Sequence, residues 1–133
     1  MKAKRINHVV IRVKEMKKAC QLFSELFGLE FTELPPNKET DSQGAMASIG
    51  VEIIEPLTPG GPTAKSIERY GQGLALLSFE VSGLEGALAE IKSRGIRVVA
   101  NVDRPDFRAA VLHPADVFGT MIELIEYKAK GNK

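Results

Sequence analysis

Along this chain apolar residues first alternate with polar ones, then switch to helical spacing, and the sequence of changes occurs twice. Ile6 to Val13 (INHVVIRV) alternates as a strand, with His8, Val10 and Arg12 on one face and Asn7, Val9, Ile11 and Val13 on the other. Glu15 to Phe27 then carries Ala19, Leu22, Phe23, Leu26 and Phe27 at helical spacing, and Gly28 supplies the stop. Leu29 to Leu34 returns to extended character. The polar run PPNKETDSQG that follows predicts a mobile loop able to act as a lid. Ala45 to Ile49 is a weak strand pattern, Gly50 a turn, and Val51 to Pro56 (VEIIEP) a strong strand. In the linking stretch LTPGGPTAKSIERYGQG, Pro62 opens and Gly71 closes a helical connector over Thr63 to Tyr70.

The second half repeats the order. Leu74 to Val81 (LALLSFEV) predicts a strand. Ser82 with Glu85 three residues on predicts a capping box, and Leu84, Ala87, Leu88 and Ile91 form the helix's apolar stripe up to Gly95. Ile96 to Ala100, Ala109 to Leu112 and Thr120 to Tyr127 predict three more strands. Matching HVVIRV to LLSFEV places His8 on Leu76, a shift of 68, and Ala19 falls on Ala87 at the same shift. Matching VEIIEP to IELIEY places Glu52 on Glu123, a shift of 71, and a loop absorbs the difference. A near-constant shift through strand, helix and strand means two copies of one βαβββ unit.

The predicted fold is therefore α+β, with tandem βαβββ modules at about 1–56 and 73–128. A connector at 57–72 joins them within a single domain of 133 residues. A one-sided sheet with a single helix has a face left to cover, so the two modules are expected to pair into a cupped mixed sheet with the helices outside. If the pairing follows a pseudo-twofold axis, His8, Leu76, Glu52 and Glu123 occupy equivalent places. An unbroken copy would offer two imidazoles and two carboxylates, a set suited to a divalent transition metal. Here Leu76 leaves three, a set leaning toward harder ions. In both VEII and IELI a carboxylate stands among β-branched neighbours, and a buried carboxylate is expensive unless paired, hydrogen-bonded or bound to a cation.

Composition narrows the class. The chain is 44% hydrophobic and 26% charged with a net charge of +1, an ordinary soluble globule without a field that would draw nucleic acid or a membrane surface. No apolar run approaches a membrane span, and MKAKRINHVVIRV lacks signal-peptide organisation, so a cytoplasmic protein is expected. The single cysteine, Cys20, excludes an internal disulfide, fits a reducing compartment, and falls among Ala19, Leu22 and Phe23 as a buried inert thiol.

The His-Pro then Gly-x-x-x-Glu-Leu ending, His113-Pro114 to Glu123-Leu124, the connector GPTAKSIERYGQG and the two strand motifs together resemble the vicinal oxygen chelate superfamily. That superfamily holds glyoxalases, bleomycin-resistance proteins and extradiol dioxygenases, and within it the chain is most similar to the methylmalonyl-CoA epimerases. The resemblance covers nearly the whole chain and implies a glyoxalase-like fold and a homodimer. It implies a divalent metal ion (Co, Mn, Ni, Zn or Mg) on His8, Glu52 and Glu123, three of the family's four ligand positions, with Glu123 also the catalytic carboxylate. The substrate is then a small molecule, an acyl-CoA among the candidates, bounded by Val10, Arg12, Leu76, Ser78 and Met121. The implied chemistry is that of a metal-assisted isomerase or lyase passing through an enolate-like intermediate.

Three departures stand against a plain transfer of that activity. Leu76 replaces the second strand histidine, SQGAMASIG lacks the carboxylate the family carries near the start of that strand (Asp41 lies just before it), and NVDRPDFRAAV replaces a Gly-rich loop. Leu76 is consistent with a dry, metal-free pocket and with an altered metal site. The reading from another class is a non-catalytic protein that sequesters a small apolar or aromatic compound. Ring-cleaving dioxygenase chemistry is disfavoured by the incomplete His/His/carboxylate set. Glu55 and Glu126 fall on the opposite strand parity and read as structural or solvated, His113 as fixing its turn. Arg12, Lys65 and Arg69 are placed to meet a phosphate or, as the default reading, to be solvated surface charge.

Overall fold

In a computed structural model, which describes residues 1–129, the chain runs β1 (Ala3–Arg12), α1 (Met16–Phe27), β2 (Phe31–Glu33), β3 (Ser42–Ala47), β4 (Val51–Pro56), α2 (Pro62–Tyr70), β5 (Gly73–Val81), α3 (Leu84–Ser93), β6 (Val98–Asp103), β7 (Phe107–Leu112) and β8 (Ile122–Tyr127). A 3₁₀ turn covers Pro114–Asp116. This is α+β built from two βαβββ runs, as the patterning predicts. The described residues divide into two compact units: His8–Ala75, and Met1–Asn7 together with those from Leu76 onward.

In the first unit the strands lie in the order β2-β3-β4-β1. β1 and β4 are parallel while β4, β3 and β2 are mutually antiparallel, so the sheet is mixed. Helix α1 covers one face. Met16 and the half-buried Val13, Ala19, Cys20 and Phe23 pack on Ala45, Ile53, Phe31 and Val51. Gly28 closes α1 in the left-handed region (φ 68°), where a Cβ would be strained, and its N–H bonds the Ser24 carbonyl.

The N-terminus of α1 is capped from a distance. Glu15 makes no side-chain cap, and the Met16 N–H instead donates to Glu55 Oε1 at 2.7 Å. The polar run 35–44 is more ordered than a free loop. Ser42, Gln43 and Gly44 belong to β3, and Asn37 bridges Ser42 while its Oδ1 accepts the N–H groups of Glu39 and Thr40. Small polar residues hide a strand because their own propensity is weak; pairing with β4 decides it.

The second unit repeats the arrangement as β5-β8-β7-β6, again with a parallel first pair and antiparallel remainder. Its core joins Leu84, Leu88 and Ile91 of α3 to Phe79, Val81, Leu112, Ile122 and Leu124. The expected Ser82–Glu85 capping box does not form: Gly83 is the N-cap of α3, and no side-chain cap comes from its own turn. Glu126 of β8 takes that role, accepting from the Gly83 N–H at 2.6 Å and the Leu84 N–H at 3.2 Å. Glu55 and Glu126 are therefore equivalent residues with one structural job, each tying the last strand of its module to the start of its module's helix. The first residues of β1 belong to this unit. Lys4 and Arg5 approach the buried Glu80 at 3.5 and 3.6 Å, and Met1 reaches Glu90 at 3.1 Å.

Candidate functional site

Each module turns one side of its sheet to a helix and leaves the other side to the residues of opposite parity. On β1 and β4 the helix side takes Val13, Val51 and Ile53, so His8, Val10, Glu52 and Ile54 lie on the far face. There His8 Nε2 stands 3.7 Å from Glu52 Oε1, with both side chains largely buried. Burial holds the His8 imidazole below its ordinary pKa, which keeps it neutral at pH 7 with a lone pair able to accept a proton or a cation. Room for the Glu52 carboxylate comes from Gly44 on the neighbouring strand. A Cβ there would lie 2.9 Å from Glu52 Oε2 and 3.3 Å from Ile54 Cγ2.

On β5 and β8 the helix side takes Phe79, Val81, Ile122 and Leu124, which puts Leu76, Ser78 and Glu80 of β5 with Glu123 of β8 on the far face. Ser78 is wholly buried and its Oγ donates to Glu123 Oε1 at 2.7 Å. Burial pushes the Glu123 carboxyl above the usual carboxylate range, and the Ser78 hydrogen bond opposes that rise only in part.

Register makes the repeat concrete. Val10 pairs with Glu52 on the parallel strands of the first module, and Ser78 pairs with Glu123 on those of the second. These are the shifts of 68 and 71 derived from the sequence, so Leu76 is the residue at His8's place. The structure thus brings together His8 with Glu52, and Ser78 with Glu123, each within its own unit. Among the described residues, no group of three or more His, Cys, Asp or Glu side chains is arranged to hold a metal ion.

The remaining candidates fall as follows. Val10 is buried beside Glu52 in register, and Leu76 and Met121 are half-buried, the Met121 carbonyl accepting from the Leu77 N–H at 3.0 Å. Arg12 is engaged in holding the end of α2: its Nε donates to the Gly71 carbonyl at 2.9 Å and its guanidinium lies 5.4 Å from the centre of the Tyr70 ring. Arg69 stacks on the same ring. Asp41 is structural, accepting from both the backbone N–H and the hydroxyl of Thr58. His113 fixes its turn as expected, with Nδ1 accepting from the Ala115 N–H at 3.0 Å. Cys20 is half-buried on α1 rather than fully buried as expected, and burial raises its thiol, which disfavours a reactive role. Gly44, against which the Glu52 carboxylate packs, is a position that sequence reasoning passed over. The available signal was a glycine inside a strand, which commonly marks a close approach by another group.

Comparison with known proteins agrees with this architecture. The family model described as Glyoxalase/Bleomycin resistance protein/Dioxygenase superfamily matches residues 5–124. The mitochondrial methylmalonyl-CoA epimerase of Homo sapiens is 25% identical over 127 residues, covering 90% of this chain and 72% of that protein. The ethylmalonyl-CoA/methylmalonyl-CoA epimerase of Cereibacter sphaeroides is 27% identical over 129 residues, covering 90% of this chain and 96% of that protein. Among solved structures, a Streptomyces coelicolor methylmalonyl-CoA epimerase variant in complex with 2-nitronate-propionyl-CoA matches with a TM-score of 0.85. It is 23% identical and covers 96% of this chain and 100% of that one, a likeness that shows the fold.

Proposed function

Because the chain belongs to the Glyoxalase/Bleomycin resistance protein/Dioxygenase superfamily, we propose that it is an isomerase of the epimerase type. In this reading it moves the α-proton of a small acyl thioester, an acyl-CoA by analogy with its epimerase relatives. The observation that carries the reading is Glu123. It is a desolvated carboxylate with raised proton affinity, held by a dedicated serine on the face turned away from the helix. Burial that raises the proton affinity of a carboxylate makes it a stronger base, which favours abstraction next to a thioester carbonyl. A sequestering protein has no use for a buried carboxylate with its own buried donor, so the non-catalytic alternative is disfavoured.

In this reading the chain takes a divalent cation, for which His8 and Glu52 supply two donors. A neutral imidazole nitrogen and a carboxylate oxygen lie 3.7 Å apart, and Gly44 leaves the space that carboxylate occupies. The ligands in this reading are His8, Glu52 and Glu123, with Leu76 taking no part. When bound, such an ion would act as a Lewis acid toward the developing negative charge on the substrate. In this reading Glu123 serves as the base. The reading extends to a cytoplasmic homodimer. Among the described residues no helix is long and apolar enough to cross a membrane.

The test is exchange of the α-hydrogen of methylmalonyl-CoA in deuterated solvent, with added Mn²⁺ or with chelator. Exchange in the wild type that Glu123→Gln abolishes supports the reading. A wild type that exchanges no α-hydrogen in methylmalonyl-, ethylmalonyl- or propionyl-CoA overturns it.

A further inference from the structure

Arg12, Lys65 and Arg69, the basic residues singled out in the sequence, all belong to the unit His8–Ala75. Tyr70, the last residue of α2, has an exposed ring (64%) that receives two guanidinium groups. Arg12 Cζ stands 5.4 Å and Arg69 Cζ 5.2 Å from the ring centre. An aromatic face attracts a cation within about 6 Å, so Tyr70 holds together two like charges that would otherwise part. Lys65 precedes Arg69 by one helical turn and adds a third charge to that face of α2. Arg5, Arg94, Arg97 and Arg108 each lie against a carboxylate. Arg12 and Arg69 do not: among the described residues their side chains meet the Tyr70 ring and, for Arg12, the Gly71 carbonyl. That bond, at 2.9 Å through Nε, orients the Arg12 guanidinium and leaves its two terminal nitrogens for a further acceptor.

We infer that Arg12, Tyr70 and Arg69 form a site for the phosphates of a nucleotide-bearing ligand. A guanidinium seated at an aromatic ring keeps its fork of N–H donors, which matches phosphate oxygens in pairs, and has little side-chain freedom left to lose. Room for the body of such a ligand lies alongside. A hollow of about 360 Å³ is lined by Lys14, Pro56, Ala64, Ile67 and Glu68, a size usual for small-molecule sites. Glu68 adjoins Arg69 in the chain, and Lys14 lies two residues from Arg12. For the identity of the ligand the inference rests on the acyl-CoA reading above, and it puts the nucleotide phosphates of that carrier on the first unit. With a net charge of +1 the chain has no broad field to gather anions, so the attraction is local to these residues.

The experiment is calorimetric titration of the full chain with CoA, with pantetheine, which lacks the phosphates, and with inorganic phosphate, each at low and high salt. Wild type is expected to bind CoA more tightly than either of the others, and salt is expected to weaken CoA binding. Arg69→Ala and Tyr70→Leu, both at exposed positions, are each expected to weaken CoA by about 10-fold and to leave pantetheine unchanged. Arg94→Ala removes the same charge from an arginine paired with Glu90, and is expected to bind CoA as wild type does. CoA held no more tightly than pantetheine or inorganic phosphate overturns the inference. So does an Arg69→Ala protein that binds CoA no more weakly than Arg94→Ala. The isomerase reading fails separately. A chain that binds CoA through Arg69 but exchanges no α-hydrogen loses the reaction and keeps this site. A chain that exchanges it while Arg69→Ala binds CoA like wild type keeps the reaction and loses the site.

Discussion

Replacing Glu126 by alanine removes in one step the acceptor for the N–H groups of the N-cap Gly83 and of Leu84, the first residue of α3. Glu126 Oε2 accepts from the Gly83 N–H at 2.6 Å and Oε1 from the Leu84 N–H at 3.2 Å, while Arg108 Nη2 donates to Oε1 at 3.1 Å. An ordinary N-cap is worth about 1 kcal/mol, and a hydrogen bond to a charged group about 1.5–3 kcal/mol. The Arg108 pair adds at most about 1 kcal/mol, because its guanidinium is well exposed and screened. The carboxylate is itself 23% exposed, so water recovers part of the loss. The expected destabilisation of Glu126→Ala is about 1.5–2.5 kcal/mol, and of Glu126→Gln, which keeps one acceptor oxygen, about 1 kcal/mol. Urea unfolding followed by far-ultraviolet circular dichroism should show a lower midpoint with an unchanged m-value, since the surface exposed on unfolding is the same.

The pH dependence gives an independent check. The Gly83 N–H, followed by the Leu84 N–H and Arg108, holds the Glu126 carboxyl below its ordinary range. A depressed folded pKa means that the stabilisation is fully present above the unfolded value of about 4.3 and is lost as pH falls through the folded one. The stability gap between wild type and Glu126→Gln should therefore be constant near neutrality and close at acid pH. A Glu126→Ala protein within about 0.5 kcal/mol of wild type, the range of an ordinary surface change, would refute the capping assignment. So would a gap that does not narrow in acid.

Three further outcomes follow from the same geometry. Glu55→Ala should destabilise by about 1 kcal/mol in urea, less than Glu126→Ala, because the Glu55 carboxylate accepts from the Met16 N–H at the start of α1. The Asp116 carboxyl, held down to about 2 by the Arg97 guanidinium and then by the Arg97 N–H, should titrate in an NMR experiment well below its neighbours, and Arg97→Ala should return it toward its ordinary value. Its stabilising contribution is present above about pH 4 and disappears as pH falls through about 2. Ile53→Ala, at a fully buried position packed on Met16 and Ala45, should cost about 2–5 kcal/mol in the same urea assay, and a value under 1 would mean that α1 is not seated on β4 as described.

What the sequence by itself determined about this protein is everything that depends on period and order. Alternation in HVVIRV and LLSFEV sets which side chains share a strand face, because that period is a property of the backbone. The shifts of 68 and 71 followed from residue order alone and reappear in the pairing of Val10 with Glu52 and of Ser78 with Glu123. Gly28 after a helical stripe marked the end of α1 because few other residues adopt its backbone conformation readily.

Tertiary structure decided the choices between groups that local order cannot rank. Ser82 and Glu85 have the spacing of a capping box, yet Glu126, more than forty residues along the chain, holds the start of α3, because β8 delivers a full charge to those N–H groups. The run through Ser42 and Gly44 has little strand preference of its own and became β3 by pairing with β4. Two glutamates in similar local settings, VEII and IELI, have different neighbours, a glycine adjoining one and a serine donating to the other across the strand pair. Contacts of that kind depend on which strands become neighbours, and no window of consecutive residues contains that information.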